Sequence, residues 1–274
     1  MQVDGRALAT QIQQRLTAAV ADMAPRVPRL GIVACAPDAV TKQYLHLKQT
    51  KAEAIGIAVQ KELLSSGADT EAVKTVVTDL ASQVDGLVVQ LPLPSDIDRV
   101  AVLDTIPLSV DVDALRGVIS PYVSPVARAM EVILREHQVS LVGQSVLVVG
   151  AGALVGTPVA QWFRNQQAKV TVVTATDTLT SEITKAADII VLGTGCPGLL
   201  TPEMITAETV VLDAGTAEAS GRIQGDADPT CAQKAALFTP VPGGIGPLTI
   251  MTLLENVVQA SLHQSIGSKD SFVL

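Results

Sequence analysis

Ser145-Val146-Leu147-Val148-Val149 is a run with no polar alternation, and it passes straight into Gly150-Ala151-Gly152 and on to Gly156-Thr157-Pro158. A strand that is apolar on both faces is buried on both, which is the habit of parallel sheets. Parallel strands cannot be joined by a hairpin and need a crossover, usually a helix. This one segment therefore commits the chain to strand, tight turn, helix. The rest of the chain agrees. Asp4–Val20 sets Leu8, Ile12, Leu16 and Val20 at helical spacing, and Pro25 and Pro28 close the segment. Arg29–Ala36 reads as a strand and Thr41–Ile55 as a helix, with Thr41 as its cap and Gly56 as its stop. Ile57–Leu64 (strand), Thr70–Ser82 (helix) and Asp85–Leu91 (strand) follow, and Pro92 and Pro94 end the series. Pro107–Pro125 has little pattern and reads as a linker. Beyond it come a helix at Val126–His137, the Ser145–Val149 strand, and further strands at Lys169–Val173, Asp188–Leu192 and Thr209–Leu212. Pro247 opens a final helix, Leu248–Ile266, and the last eight residues read as a loose tail. The order implies α/β architecture with parallel sheets.

Composition narrows the function. The 274 residues can bury about 75% of their unfolded surface, so neither a disulfide nor a metal is needed for folding. Lys plus Arg number 19 and Asp plus Glu 27, giving a net charge of −8. That balance argues against nucleic acid or an anionic membrane as partner. Cys35, Cys196 and Cys231 are odd in number and far apart, which excludes a zinc ribbon or a disulfide scaffold. No metal-ligand motif appears among His46, His137 and His263, so no metal is expected. Ser145–Phe163 lacks charge, but three glycines and Pro158 interrupt it, so it reads as strand–turn–helix rather than as a membrane span. With no apolar leader near Asp4 and Arg6, a cytoplasmic, reducing location is the expectation.

The glycine turn offers bare backbone at a helix start, the arrangement that lets amides approach a diphosphate. Its spacing, G-x-G-x-x-x-G, is one residue longer than the usual dinucleotide fingerprint, and a tight turn without ligand is the alternative. After the next strand, Thr174-Ala175-Thr176-Asp177 contains no Arg or Lys to meet a 2′-phosphate. Asp177 would repel that phosphate and could accept from a ribose hydroxyl, which tilts the cofactor toward NAD over NADP; a solvated loop acid is the alternative.

Tyr44 and Lys48 are four residues apart and share a helix face. A lysine that works as a base near neutral pH must be discharged, a preference of about 4 kcal/mol for the neutral form. Burial beside a neutral amide would favour that, whereas a surface lysine is the alternative. The Gln90-Leu91-Pro92-Leu93-Pro94 run puts such an amide at the carboxyl end of a strand, where α/β ligands sit. Asp111 and Asp113 are acids two apart. Pro242-Gly243-Gly244-Ile245-Gly246-Pro247 feeds a helix start with an amide nest suited to oxygen ligands.

Taken together, these segments resemble the bifunctional methylenetetrahydrofolate dehydrogenase/methenyltetrahydrofolate cyclohydrolase family. The likeness runs from Val3-Asp4-Gly5-Arg6 to Leu253-Leu254-Glu255-Asn256, with Gln90–Pro94 and Thr239–Thr249 the most specific matches. The resemblance implies two α/β lobes around a cleft. Residues 1–122 with 248–274 would form a parallel-sheet folate domain, and 123–247 a Rossmann-like NAD(P)-binding domain. The last helix would pack back on the first lobe. Lys48 matches the catalytic lysine, Gln90 the glutamine that tunes it, Tyr44 the tyrosine that packs on folate, and Asp113 the acid that receives pterin donors. Pro242, Gly243, Gly244 and Pro247 would also line the substrate. Gly150, Ala151, Gly152, Val155, Gly156, Thr174, Gly193 and Asp177 would line NADP or NAD. A homodimer through the Rossmann lobe is implied as well.

The chain departs from the family pattern at Val110-Asp111-Val112-Asp113-Ala114-Leu115, which lacks the usual Lys, Gly and Phe. The segment that follows is about ten residues shorter, and Ala151-Gly152 replaces Arg-Ser. These differences support two rivals: a related dehydrogenase on another small substrate, and a folate- or nucleotide-binding protein with little turnover.

Overall fold

A computed structural model describes residues 1–219 and 222–266, so the expected C-terminal tail lies outside the described residues. The chain divides into two compact units, one made of 1–10 with 126–249 and the other of 11–125 with the residues from 250 onward.

The unit built around 11–125 carries a three-stranded parallel sheet. Its strands are β1 (Arg29–Cys35), β2 (Ala58–Leu64) and β3 (Gly86–Val89), in the order β2-β1-β3. The helices are α1 (Gly5–Asp22, the part from residue 11 onward), α2 (Ala39–Ile55), α3 (Thr70–Ala81) and the short α4 (Arg99–Leu103). Every residue of β3, and every residue of β1 but the first, is buried, whereas the edge strand β2 is half exposed. The core gathers Val33, Val73, Val77, Leu80, Leu87, Val102 and Ile106. The α2 cap is Asp38 rather than Thr41: the Asp38 carboxylate accepts the Thr41 N–H at 2.7 Å. The Asp directly before the helix is the better cap, because its short acceptor reaches an orphan amide of the first turn. Gly56 ends α2 as expected, at φ 97°, with its N–H turned to the Ala52 and Glu53 carbonyls.

The other unit holds a five-stranded parallel sheet, in the order β10-β7-β6-β4-β5. The strands are β4 (Ser145–Val149), β5 (Lys169–Val173), β6 (Ile189–Leu192), β7 (Val210–Asp213) and β10 (Leu237–Phe238). Its helices are α5 (Pro125–Glu136), α6 (Gly156–Asn165), α7 (Ser181–Lys185) and the first turn of α8 (Ile245–Ile266). A hairpin of β8 (Ala217–Ala219) and β9 (Arg222–Gln224) stands apart from the sheet. The chain leaves β4 for β5 on one side and returns to β6 on the other, so the order reverses between β4 and β6. In open α/β sheets ligands bind at such a switch point, outside the carboxyl ends of the strands.

Three expectations need correction. Residues 1–10 belong with 126–249 and not with the first lobe. The cause is backbone pairing: Val3 N–H donates to Phe238 O and Phe238 N–H to Met1 O, both at 2.9 Å, which adds the amino terminus to β10. Pro247 is the third residue of α8, not the first. The Pro107–Pro125 segment is not a loose linker, since Val110, Asp111, Val112 and Tyr122 are buried. Asn256 of α8 pins it by donating from Nδ2 to Val112 O at 2.8 Å and Val123 O at 3.0 Å. Those bonds place the later turns of α8 on the unit of the three-stranded sheet. Ile245–Gln264 is long and apolar enough to cross a membrane by length and composition, but 67% of it is buried inside the protein, as a core helix would be.

Candidate active site

Two groups of predicted residues are each brought together locally. The first lies in the unit of the three-stranded sheet. One helical turn separates Tyr44 from Lys48 on α2, and Gln90 follows β3 directly. Its N–H donates to Val33 O at 2.8 Å, extending the ladder by one residue beyond the strand. That places the Gln90 amide at the carboxyl edge, beside the central strand. Lys48 Nζ donates to Gln90 Oε1 at 3.1 Å. Gln90 Nε2 in turn donates to Leu91 O at 2.7 Å, which fixes the amide with its oxygen toward the lysine. Lys48 is only 7% exposed, so the surface-lysine alternative fails.

Burial lowers the pKa of Lys48, and the charge of Asp113 partly opposes this. The amide itself is not the discharging agent. Gln90 accepts from the amine, and the Tyr44 ring centroid lies 5.2 Å from Nζ, and both contacts favour the cation. Gln90 therefore orients the amine, while desolvation favours its neutral form. Tyr44 is 39% exposed, which leaves ring surface free for a flat ligand. Its hydroxyl is pushed up to about 12 by burial and by Asp113.

Asp113 is half-buried, and its carboxyl is raised by burial and by neighbouring Asp111, with Lys48 pulling it down. Asp111 is wholly buried and builds the turn that carries Asp113. Its carboxylate accepts the N–H groups of Leu115 at 2.8 Å and Arg116 at 3.0 Å. The resemblance singles out Asp113 alone; the signal for the part Asp111 plays is an Asp just ahead of a turn. Ala114, within that turn, has φ 53°, the left-handed region where a Cβ costs roughly 1–2 kcal/mol. Ala114→Gly is accordingly expected to stabilise the protein by about 1 kcal/mol. Chemical denaturation measures this, and an unchanged or lower midpoint would show that the turn carries no strain.

The second group lies at the switch point of the five-stranded sheet. Val149 pairs with Leu192, so Gly150 and Gly193 leave the sheet side by side. The glycines are required sterically. A Cβ on Gly156 would sit 1.9 Å from Gly150 O, one on Gly150 2.7 Å from Gly193 O, and one on Gly193 2.7 Å from Val155 Cγ1. Gly150 also has φ 101°. Ala151 and Gly152 are exposed at the tip, and no side chain caps the first turn of α6. This bare cradle fits a dinucleotide diphosphate. Thr174 and Asp177 form a closed turn after β5: Thr174 N–H and Oγ1 both donate to Asp177 Oδ2 at 2.8 Å. Those bonds hold the Asp177 carboxyl below its ordinary value, so this acid has a turn-forming job besides any contact with a ribose.

Pro242, Gly243, Gly244 and Pro247 belong to the same unit as the glycine turn. Gly243 has φ 111°, and Gly244 N–H donates to Pro240 O at 2.7 Å. A Cβ on Gly5 would fall 1.8 Å from Gly244 O, which explains the glycine near the amino terminus.

Family models match both parts of the chain. Residues 3–113 match the tetrahydrofolate dehydrogenase/cyclohydrolase catalytic domain, and 124–265 match the NAD(P)-binding domain of the same family. The chain belongs to the tetrahydrofolate dehydrogenase/cyclohydrolase family. A relative within that family, the bifunctional protein FolD of Hydrogenobaculum sp. (strain Y04AAS1), is 33% identical over 271 residues, covering 94% of this chain and 97% of the relative. The FolD crystal structure from Campylobacter jejuni superposes with a TM-score of 0.92 at 28% identity, covering 96% of this chain and 99% of that one. The Trypanosoma brucei FolD, solved with NADP cofactor and inhibitor, gives 0.90 at 34% identity, covering 98% and 99%. The family's two-domain architecture thus accounts for both groups of residues.

Proposed function

We propose that this chain oxidises 5,10-methylenetetrahydrofolate to the methenyl form and hydrolyses that product to 10-formyltetrahydrofolate. The observation that carries the reading is the dry, Gln90-oriented amine of Lys48 beside Tyr44, with the charge of Asp113 felt at both. Membership of the family and relatives named as bifunctional support it.

Each side chain has a part that follows from its surroundings. The exposed Tyr44 ring packs on the planar substrate. The Asp113 carboxylate accepts N–H donors from a pterin edge. Lys48, kept partly neutral by burial, holds the water that adds to the methenyl carbon and takes up the proton that water releases. Gln90 keeps the amine aimed. Gly150, Gly156 and Gly193 would hold the nicotinamide dinucleotide, which when bound supplies the hydride acceptor for the first step. The assay is formation and decay of methenyltetrahydrofolate absorbance, with NAD+ and NADP+ supplied in turn. No absorbance change with either cofactor would sink the reading.

On the choice of cofactor we propose NAD+ used at least as well as NADP+. Residues 174–179 contain no Arg or Lys, and the ionised Asp177 faces any 2′-phosphate placed there with like charge. Initial rates at matched concentrations decide this, and a clear NADP+ preference overturns it. We also propose a homodimer through the dinucleotide-binding unit, to be read by sedimentation equilibrium, and a cytoplasmic location, which suits the free thiols of Cys35, Cys196 and Cys231.

A further inference from the structure

Two buried acids at the carboxyl edge of the five-stranded sheet take no part in the chemistry above. Asp213 ends β7 and is 1% exposed; Asp226, after β9, is 0% exposed. The Asp213 carboxylate accepts N–H bonds from Gly215 at 2.9 Å, Asp226 at 3.2 Å and Ala227 at 2.9 Å. It thereby ties the segment after the hairpin to the end of β7. Asp226 reaches across to the loop after β6, where its Oδ2 accepts the Thr194 N–H at 2.6 Å and the Thr194 hydroxyl at 2.8 Å. Thr194 Oγ1 also accepts the Cys196 N–H at 3.2 Å, so one hydroxyl links the acid to the rest of that loop. The other oxygen of Asp226 has no hydrogen-bond partner among the described residues. Space is reserved for these groups: a Cβ on Gly215 would fall 2.1 Å from Asp226 Cγ, and one on Gly225 2.2 Å from Asp213 Oδ2.

Burying a carboxylate with one oxygen unsatisfied is costly, and a loop needing only shape could do without it. What the bonds to Thr194 hold is informative. Thr194 follows Gly193, and a Cβ on Gly150 would lie 2.7 Å from Gly193 O and 3.1 Å from Thr194 Cγ2. The loop after β6 and the glycine turn after β4 are therefore in backbone contact at the switch point. We propose that Asp226 is a positioning residue for the nicotinamide dinucleotide, clamping the Thr194 loop against the Gly150 turn so that the two backbones present one fixed surface. The inference rests on reading this unit as the cofactor site.

The test uses the split between two activities. Hydrolysis of supplied methenyltetrahydrofolate needs no nicotinamide, so damage confined to the cofactor surface spares it. Thr194→Val keeps the volume and removes the hydroxyl; it is expected to raise the KM for NAD(P)+ and the Kd for NAD(P)H, read by the fluorescence of the reduced cofactor, by about 10-fold. Thr194→Ser restores both. Asp226→Ala removes both bonds and is expected to raise them by about 100-fold, with cofactor-free hydrolysis within about twofold of wild type. If Asp226→Ala does not fold, the Thr194 pair decides. Unchanged cofactor KM and Kd in Thr194→Val, or equal loss of both activities, overturns the proposal. Wild-type protein that binds NAD(P)H but turns over no folate would sink the functional reading while leaving the Kd comparison to judge the clamp; wild-type protein that binds neither reduced cofactor would overturn the clamp.

Discussion

Lys48→Ala is expected to lower the cyclohydrolase rate by about 10²–10⁴-fold while leaving NAD(P)H binding in place. The amine is buried and aimed by its hydrogen bond to Gln90, whose amide cannot serve as a base in its place. Lys48→Arg should be as inactive as alanine, because a guanidinium stays charged throughout the accessible range and cannot accept a proton. The sign of the pH dependence follows from the direction of the shift. A base must be unprotonated to act, so the wild-type rate rises with pH through the pKa of Lys48, which burial sets below that of an ordinary lysine. The rise therefore begins at lower pH than a solvated lysine would allow. Stopped-flow hydrolysis rates across pH provide the measurement; equal rates in wild type and Lys48→Ala would remove this residue from the mechanism.

Gly156→Ala is expected to reduce dehydrogenase turnover by roughly 10²-fold, since a backbone displaced by about 1 Å costs that much in positioning. A methyl group 1.9 Å from Gly150 O cannot be accommodated by a rotamer change, because the obstacle is a carbonyl of the turn itself. The turn must open, and the amides that would meet the diphosphate move with it. Titration with NADH and NADPH checks the outcome: wild-type affinity in the variant would mean that the diphosphate is not held by this turn.

Much of this architecture was legible in the sequence, for identifiable reasons. The strands β1, β3, β4 and β6 are short apolar runs ended by Gly or Pro, a pattern that survives without knowledge of tertiary contacts. Lys48 and Gln90 were recognisable as a pair only through the family resemblance, since 42 residues separate them and no local rule joins them. The segment from 107 to 125 reads as a linker because side chains, one of them distant, order it in place of a repeating pattern. Asn256, far along the chain, supplies the donors that its carbonyls need, and Asp111 supplies the acceptors for its amides. Asp226 was invisible for a similar reason, as its partner Thr194 lies 32 residues earlier in a different loop. Met1–Val3 could not be assigned to β10 from pattern alone, because three residues carry no periodicity. Burial, one half of the expectation for Lys48, is what lowers its pKa, whereas the neighbouring amide orients the amine without lowering it.

The division of the chain has a consequence for synthesis on the ribosome. Neither unit is a continuous stretch: one needs residues 1–10 together with 126–249, and the other needs 11–125 together with the residues from 250 onward. Domains usually fold in the order in which they emerge, the first complete before the second is translated. Here residues 11–125 leave the exit tunnel without Asn256, so the Val112 and Val123 carbonyls wait on water until that part of α8 has emerged. Neither unit can close on its central stretch alone, and a ribosome halted shortly before residue 250 carries a chain in which the lysine-bearing unit still lacks its last core helix.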